Sequence, residues 1–256
     1  ADANWDDGSC EYPDNGDYSL SFITENNNSN VKIENYTFIY GEKINFEFDI
    51  KGSSVINEQD NEFHYIFDMI GSSVSERLTI VMNADLSQIE LGYNNQGTYS
   101  TYIDLINIEN DIWYHFNVEI DLISEFVNLF IDNILIESKS IPFNIISNFS
   151  ELTIGNRYDI SHNRVEKTLD NIKIYSTTNN TITIFSDYKF NSGEGDTLYD
   201  HSGNGNHGTI YGATWVEAPD SFDYEQSTSQ AFYFIKEVDI DGVSIQEGDR
   251  IVAYKQ

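Results

Sequence analysis

Apolar residues in this chain recur at every second position in run after run, and that beat restricts the fold more than any other feature. Ile44, Phe46, Phe48 and Ile50 alternate with Asn45, Glu47 and Asp49. The spacing returns in Phe63, Tyr65, Phe67 and Met69, in Leu78, Ile80 and Met82, and in Ile89, Leu91 and Tyr93. It continues in Tyr114, Phe116, Val118 and Ile120, in Val127, Leu129 and Ile131, in Ile172 and Ile174, and in Phe232 and Phe234. Period two sends alternate side chains to opposite faces of a strand, so one face lies on a core and the other meets water. Asn, Asp, Gly and Ser cluster between the runs, as turns require. No segment of helical length carries apolar residues at spacings of three and four. The expectation is an all-β protein built as a two-sheet antiparallel sandwich.

The aromatic content supports it: 17 Tyr and 16 Phe among 256 residues favour pleated, half-buried surfaces. One hairpin is legible directly. Val127 to Ile131 and Ile134 to Ile136 flank Asp132-Asn133, two residues that tolerate positive φ and suit a tight primed turn. Residues 1–16 are turn-rich and read as the end of a cysteine-bearing repeat or linker. Residues 17–217 hold the long series of strands. Residues 218–227 form a polar linker, and residues 228–256 a short β-rich extension with about three strands, too few for a core of its own. Cys10 is the only cysteine, which rules out an internal disulfide and suggests a partner outside the segment.

Charge narrows the partners. Thirteen basic against 43 acidic residues give a net charge of −30. Nucleic acid is excluded, because its binding needs a basic footprint to displace counterions. Anionic membrane surfaces are disfavoured for the same reason, and no stretch approaches the about twenty apolar residues of a membrane span. A divalent cation suits such a field. So does the plainer reading, a solubility device in salty water.

Five segments in order carry a family resemblance over most of residues 17–217. They are Asp17-Tyr-Ser-Leu-Ser-Phe22, Trp113-Tyr-His-Phe-Asn-Val-Glu-Ile-Asp121, Val127-Asn-Leu-Phe-Ile-Asp132, Leu152-Thr-Ile-Gly155 and Leu169-Asp-Asn-Ile-Lys-Ile-Tyr175. Together they resemble the laminin-G-like branch of the concanavalin A-like jelly rolls, with Asn133 where that family's hairpin usually has Gly. The stretch from Tyr188 to Trp215, with Asp200-His-Ser-Gly-Asn204-Gly-Asn206 at its centre, is similar to a segment that accompanies such domains in bacterial surface proteins. Residues 6–13 are similar to the end of a short cysteine-bearing repeat, and residues 229–249 resemble a module near the carboxyl ends of secreted Bacteroidetes proteins. The resemblance implies a jelly roll, with its first strand beside strands from the carboxyl half. It also implies a secreted location, extracellular or at the cell surface, within a large protein of a marine bacterium.

Concanavalin-like folds include glycoside hydrolases, which need two carboxylates at a set separation. Glu47 with Asp49 and Glu119 with Asp121 are the candidates. Neither pair continues to a further Glu at the spacing of those enzymes, and both fit outward-facing strand positions, so no enzymatic activity is expected. No nucleophile elbow, zinc motif or phosphate loop is present. His115 reads as structural, and Trp113 and Trp215 as core residues.

For Ca²⁺, Asp200, Asn204 and Asn206 offer oxygens on a glycine-rich loop, and Asp170 is the candidate ligand from elsewhere. The alternative is that these Asn and Gly residues only serve positive-φ turns. For a glycan or cell-surface polysaccharide, Asn94, Tyr99, Tyr102, Arg157, Tyr158 and His162 are the candidates from loop placement. Two roles follow: a calcium-stabilised adhesion or glycan-binding module, or a structural subunit of an extracellular filament or surface layer. In the second, residues 228–256 pair with other copies of the chain.

Overall fold

The structure, a computed structural model, describes residues 12–22, 29–36, 38, 41–52, 63–71, 75–83, 86–94, 98–105, 108–141, 149–156 and 166–217, with short strands at 239–240 and 243–244. Among the described residues there is no helix, and so none long and apolar enough to cross a membrane. Residues 1–218 form one unit and residues 219–256 a second.

The first unit is a sandwich of two eight-stranded antiparallel sheets. Sheet A contains β1 (Tyr18–Phe22), β3 (Lys43–Gly52), β8 (Trp113–Asp121), β9 (Phe126–Ile131), β10 (Ile134–Ser140), β12 (Lys167–Thr178), β13 (Thr181–Tyr188) and β16 (Thr214–Glu217). Its order is β10-β9-β8-β3-β12-β1-β16, with β13 also on β12. Sheet B contains β2 (Asn30–Glu34), β4 (Phe63–Ile70), β5 (Arg77–Asn83), β6 (Gln88–Asn94), β7 (Thr98–Asp104), β11 (Glu151–Gly155), β14 (Thr197–Leu198) and β15 (Gly208–Tyr211). Its order is β14-β15-β2-β11-β4-β5-β6-β7. As expected, β1 lies between strands of the carboxyl half, β12 and β16. In the second unit, β17 (Asp239–Ile240) pairs with β18 (Val243–Ser244). The other residues of the extension lie outside the described ones.

The alternating runs form the core. Ile44, Phe46, Phe48 and Ile50 face inward from β3 and Phe116, Val118 and Ile120 from β8, all buried. Phe48 stacks on Phe116 at 5.5 Å and meets Phe67 of the facing sheet edge-on at 5.4 Å, so aromatic contacts join the two layers. Trp113 departs from expectation. It lies on the outward parity of β8, opposite Lys51, whose Nζ sits 5.5 Å from its ring centre. Trp215 packs against the core and donates Nε1–H to Gly195 O at 2.9 Å.

The Asp132-Asn133 turn has the foreseen positive φ values of 49° and 64°. A second such turn, Asn179-Asn180 at 48° and 62°, joins β12 to β13. Gly155 ends β11 at φ 87°, and a Cβ there would run into the Phe22 ring. Gly155→Ala is therefore expected to destabilise by about 2–4 kcal/mol, combining left-handed strain with overpacking. Urea denaturation reads this directly, and a loss below about 0.5 kcal/mol would show that Phe22 can move aside.

Candidate functional site

The Asp200 loop closes on itself. Asp200 is fully buried, and its Oδ1 accepts from the backbone N–H of Asp187 and Ser202 at 2.9 and 3.0 Å. Its Oδ2 accepts from Asn206 N at 3.0 Å and from Ser202 Oγ at 2.8 Å. The amide nitrogens of Asn204 and Asn206 each donate to main-chain carbonyls, at Ile184 and Phe185, both at 2.8 Å. Tyr188 donates its hydroxyl to Asn206 O at 2.7 Å, and Asp200 N donates to His207 Nδ1 at 3.0 Å. Gly203 and Gly205 supply the positive φ angles, 84° and 69°. Four donors already fill the Asp200 carboxylate, so these residues do not fit a Ca²⁺ ion, which needs six to eight oxygens turned toward it. Their geometry matches the turn reading instead.

Asp170 is not brought to that loop. It lies on β12 opposite Asp49, and its Oδ1 accepts from Asn171 N at 2.7 Å. Burial, reinforced by Asp17 and Asp49, pushes its carboxyl up to about 8. Asp49 in turn meets His115 Nδ1 at 2.6 Å and accepts from Asn171 Nδ2 at 3.0 Å. No group of three or more His, Cys, Asp or Glu among the described residues could hold a metal.

Of the glycan candidates, only Asn94 and Tyr102 are described with their side chains, and these two lie apart. Asn94 pairs with Thr98 and Tyr102 with Glu90 at the β6–β7 edge of sheet B. Four residues separate those rows, about 13 Å along the strand. Tyr99 lies on β7 as a backbone position, and Arg157, Tyr158 and His162 lie outside the described residues.

A different site lies on the outer face of sheet A. Three cross-strand rows run over it. The first is Leu135, Phe130, Asn117, Glu47 and Lys173, and the second is Ser138, Asn128, Glu119, Asn45 and Tyr175. The third is Ser140, Phe126, Asp121, Lys43 and Thr177. A cleft of about 420 Å³ opens among them, lined by Glu42, Lys43, Asn45, Asn117, Glu119, Phe130, Tyr175, Thr177, Asn180 and Ile182. Its polar groups are fixed by one another. Lys43 Nζ lies 2.9 Å from Glu119 Oε1 and 3.7 Å from Asp121 Oδ2, and its hydrogen bond to Glu119 holds the amine above its usual range. Asn128 Nδ2 donates to Glu119 Oε1 at 2.8 Å. Tyr175 donates to Glu47 Oε1 at 2.7 Å, and burial first, then Glu47, pushes that hydroxyl up.

Burial also raises the Asp121 carboxyl, but the backbone N–H groups of Ser124 and Ile123, with Lys43, hold it below its usual range. Asn117 Oδ1 is buried in the cleft wall and accepts no hydrogen bond. Phe130 and the 60% exposed Ile182 supply apolar walls. Apolar walls beside fixed polar groups are the chemistry by which a cleft can orient a small polar ligand.

Of the carboxylates set aside in the sequence, Glu119 lines the cleft, as does Glu42. Glu47 and Glu119 are diagonal neighbours across β3 and β8, about 7–8 Å apart at Cα. Both already accept hydrogen bonds from fixed neighbours, whereas a general acid must offer a proton to its leaving group.

No protein-family model matches the chain, and no curated protein does. Among solved structures, it is similar to a candidate carbohydrate-binding protein of Bacteroides ovatus, with a TM-score of 0.55 at 12% identity. That match covers 79% of this chain and 60% of the other, so the chain spans three fifths of that protein's length. The binding domain of botulinum neurotoxin serotype G scores 0.49 at 13% identity, over 64% of this chain and 42% of that one. A SAP-like pentraxin of Limulus polyphemus scores 0.47 at 15% identity, over 62% and 75%. At such identities the likeness to the Bacteroides protein is one of fold: the chain has the all-β sandwich that its alternating pattern implies, and it is jelly-roll-like, as the resemblance implies.

Proposed function

We propose that this chain is a non-catalytic glycan-binding module of a secreted, surface-attached protein, with its ligand in the sheet A cleft. The observation that carries the reading is the cleft itself, where the fixed Lys43–Glu119 pair and Asn45 stand beside the apolar walls of Phe130 and Ile182. Sugars present that pairing: hydroxyl donors around a ring whose C–H face packs on aromatic surface. The likeness to a candidate carbohydrate-binding protein supports it.

A glycan array probed with the whole chain is expected to show binding. Asn117→Ala and Phe130→Ala should each weaken it about tenfold, or about 1.4 kcal/mol. Binding that both variants leave unchanged would place the ligand elsewhere, and no binding at all would remove the reading. Reducing-sugar release that disappears in Glu119→Gln would move the function to glycoside hydrolysis. Parallel arrays with Ca²⁺ and with EDTA should agree, since the cleft is organised by Lys43 rather than by a cation.

The filament alternative keeps one observation in its favour. Among the described residues β10 is an edge strand, and it exposes Ile134, Leu135 and Ile136 in succession, an edge of the type that pairs with another chain. Light scattering separates the two roles, because an adhesion module stays monomeric.

A further inference from the structure

Lys167 opens β12 on its inward parity, at 1% exposure, beneath the end of the sandwich. Its Nζ lies 2.7 Å from Oδ1 of Asn156 and 5.6 Å from the centre of the Phe22 ring. Asn156 follows β11 in the opposite sheet and is only 2% exposed. Its Nδ2 donates to Ser29 Oγ at 2.9 Å. A buried ammonium with one neutral hydrogen-bond partner is expensive, and burial lowers this amine to about 7. At neutral pH much of it is therefore uncharged, with a free lone pair, in a site that excludes water. An amine nucleophile held against a carboxamide is the reactant pair of an acyl transfer.

We propose that Lys167 and Asn156 join in an intramolecular isopeptide bond that staples the two sheets together. The Lys167 Nζ lone pair adds to Cγ of Asn156, and the carbonyl electron pair moves to Oδ1. As that pair returns, the Cγ–Nδ2 bond breaks. One proton from Nζ passes to the departing nitrogen, which lies against Ser29 Oγ, and ammonia leaves. The product is a neutral secondary amide, so the buried charge disappears with the reaction. Close placement supplies effective molarities of about 10⁵ M or more, and the reaction need happen only once per molecule, so a slow step suffices. The bond would do for this chain what a disulfide does elsewhere, since Cys10 has no second cysteine to pair with.

Intact mass spectrometry of the folded chain decides the matter. The expected mass is about 17 Da below that of the sequence, the loss of one ammonia per molecule. Trypsin should release residues 140–157 joined to residues 165–173 as one branched peptide, uncut after Lys167. Asn156→Ala should restore the sequence mass and the linear peptides. A succinimide elsewhere would give the same mass without the branched peptide, and that outcome overturns the proposal. So does an unshifted mass after days at 37 °C.

Stability against pH supplies a second reading, which holds even if Asn156→Ala folds poorly. A free Lys167 has a folded value of about 7, below its ordinary 10.5, so the unfolded chain binds the extra proton between those values. An unlinked chain should therefore gain stability as pH rises from about 7 toward 10, whereas the stapled chain lacks this gain. A wild-type chain that shows the gain contradicts the bond.

Discussion

Asp200→Ala should lower the melting temperature by roughly 6–20 °C, from a loss of about 3–5 kcal/mol in a domain of this size. The carboxylate is fully buried and satisfies three backbone N–H groups and one hydroxyl, at Asp187, Ser202 and Asn206. Alanine leaves those donors buried without acceptors, and an unpaired buried group carries its full desolvation penalty. It also frees the turn that ties β13 to the glycine-rich loop through the Tyr188–Asp200 bridge. Ser202→Ala removes one of the four donors to Asp200, together with an acceptor for Asn204, and should lose less, about 1–2 kcal/mol. Differential scanning calorimetry in Ca²⁺ and in EDTA should give the same Asp200→Ala deficit. A deficit below about 1 kcal/mol would mean that the loop does not depend on this carboxylate, and a deficit that appears only with Ca²⁺ would restore a cation to it.

Asp170→Asn is expected to act in the opposite direction, stabilising the protein at pH 8 by about 2–4 kcal/mol. The folded Asp170 carboxyl is pushed up to about 8 from its ordinary 3.8, because burial and then Asp17 and Asp49 oppose its charge. Between those values the native chain holds a proton that the unfolded chain releases. The group's contribution is therefore most favourable below about pH 4 and is lost as pH rises through 8. Asparagine keeps an acceptor for Asn171 N and never ionises. The wild-type and variant stabilities should converge near pH 4 and part steadily toward pH 8, as read by urea denaturation at both ends. His115 faces the same row through Asp49, so the variant minus wild-type difference, rather than either curve alone, isolates Asp170. A variant no more stable than wild type at pH 8 would show that Asp170 is charged and adequately solvated in the fold.

Both substitutions act where sequence and tertiary structure part company. Period-two alternation by itself determined which side of each strand is core: Ile44, Phe46, Phe48 and Ile50 all face inward, because strand geometry leaves no other way to bury them together. Local turn chemistry was equally legible at Asp132-Asn133, since positive φ is a property of one or two residues. The Asp200 loop shows the limit of such reading. Asp, Asn and Gly at close spacing suit a cation and a self-satisfied turn equally, and only the positions of Phe185, Asp187 and Ser202 around the carboxylate separate them.

The sheet A cleft was hidden for a different reason. Glu47, Asn117 and Tyr175 are unremarkable outward residues of three strands, and they share a surface because β12 returns from far along the chain to lie beside β3. Lys167 illustrates the division within one residue. It shares the strand parity of the buried Leu169, but a lysine at a strand's first position can reach water if that end is open. Whether it does depends on Phe22 and Asn156, brought over it by β1 and by the opposite sheet. Alternation is local and cheap to encode, so the chain determined its strands, its inward faces and its tight turns by itself. Register and strand order are sums over many distant contacts, so only the tertiary structure decided which polar residues meet, and those meetings make the cleft, the Asp200 turn and the buried Lys167–Asn156 pair.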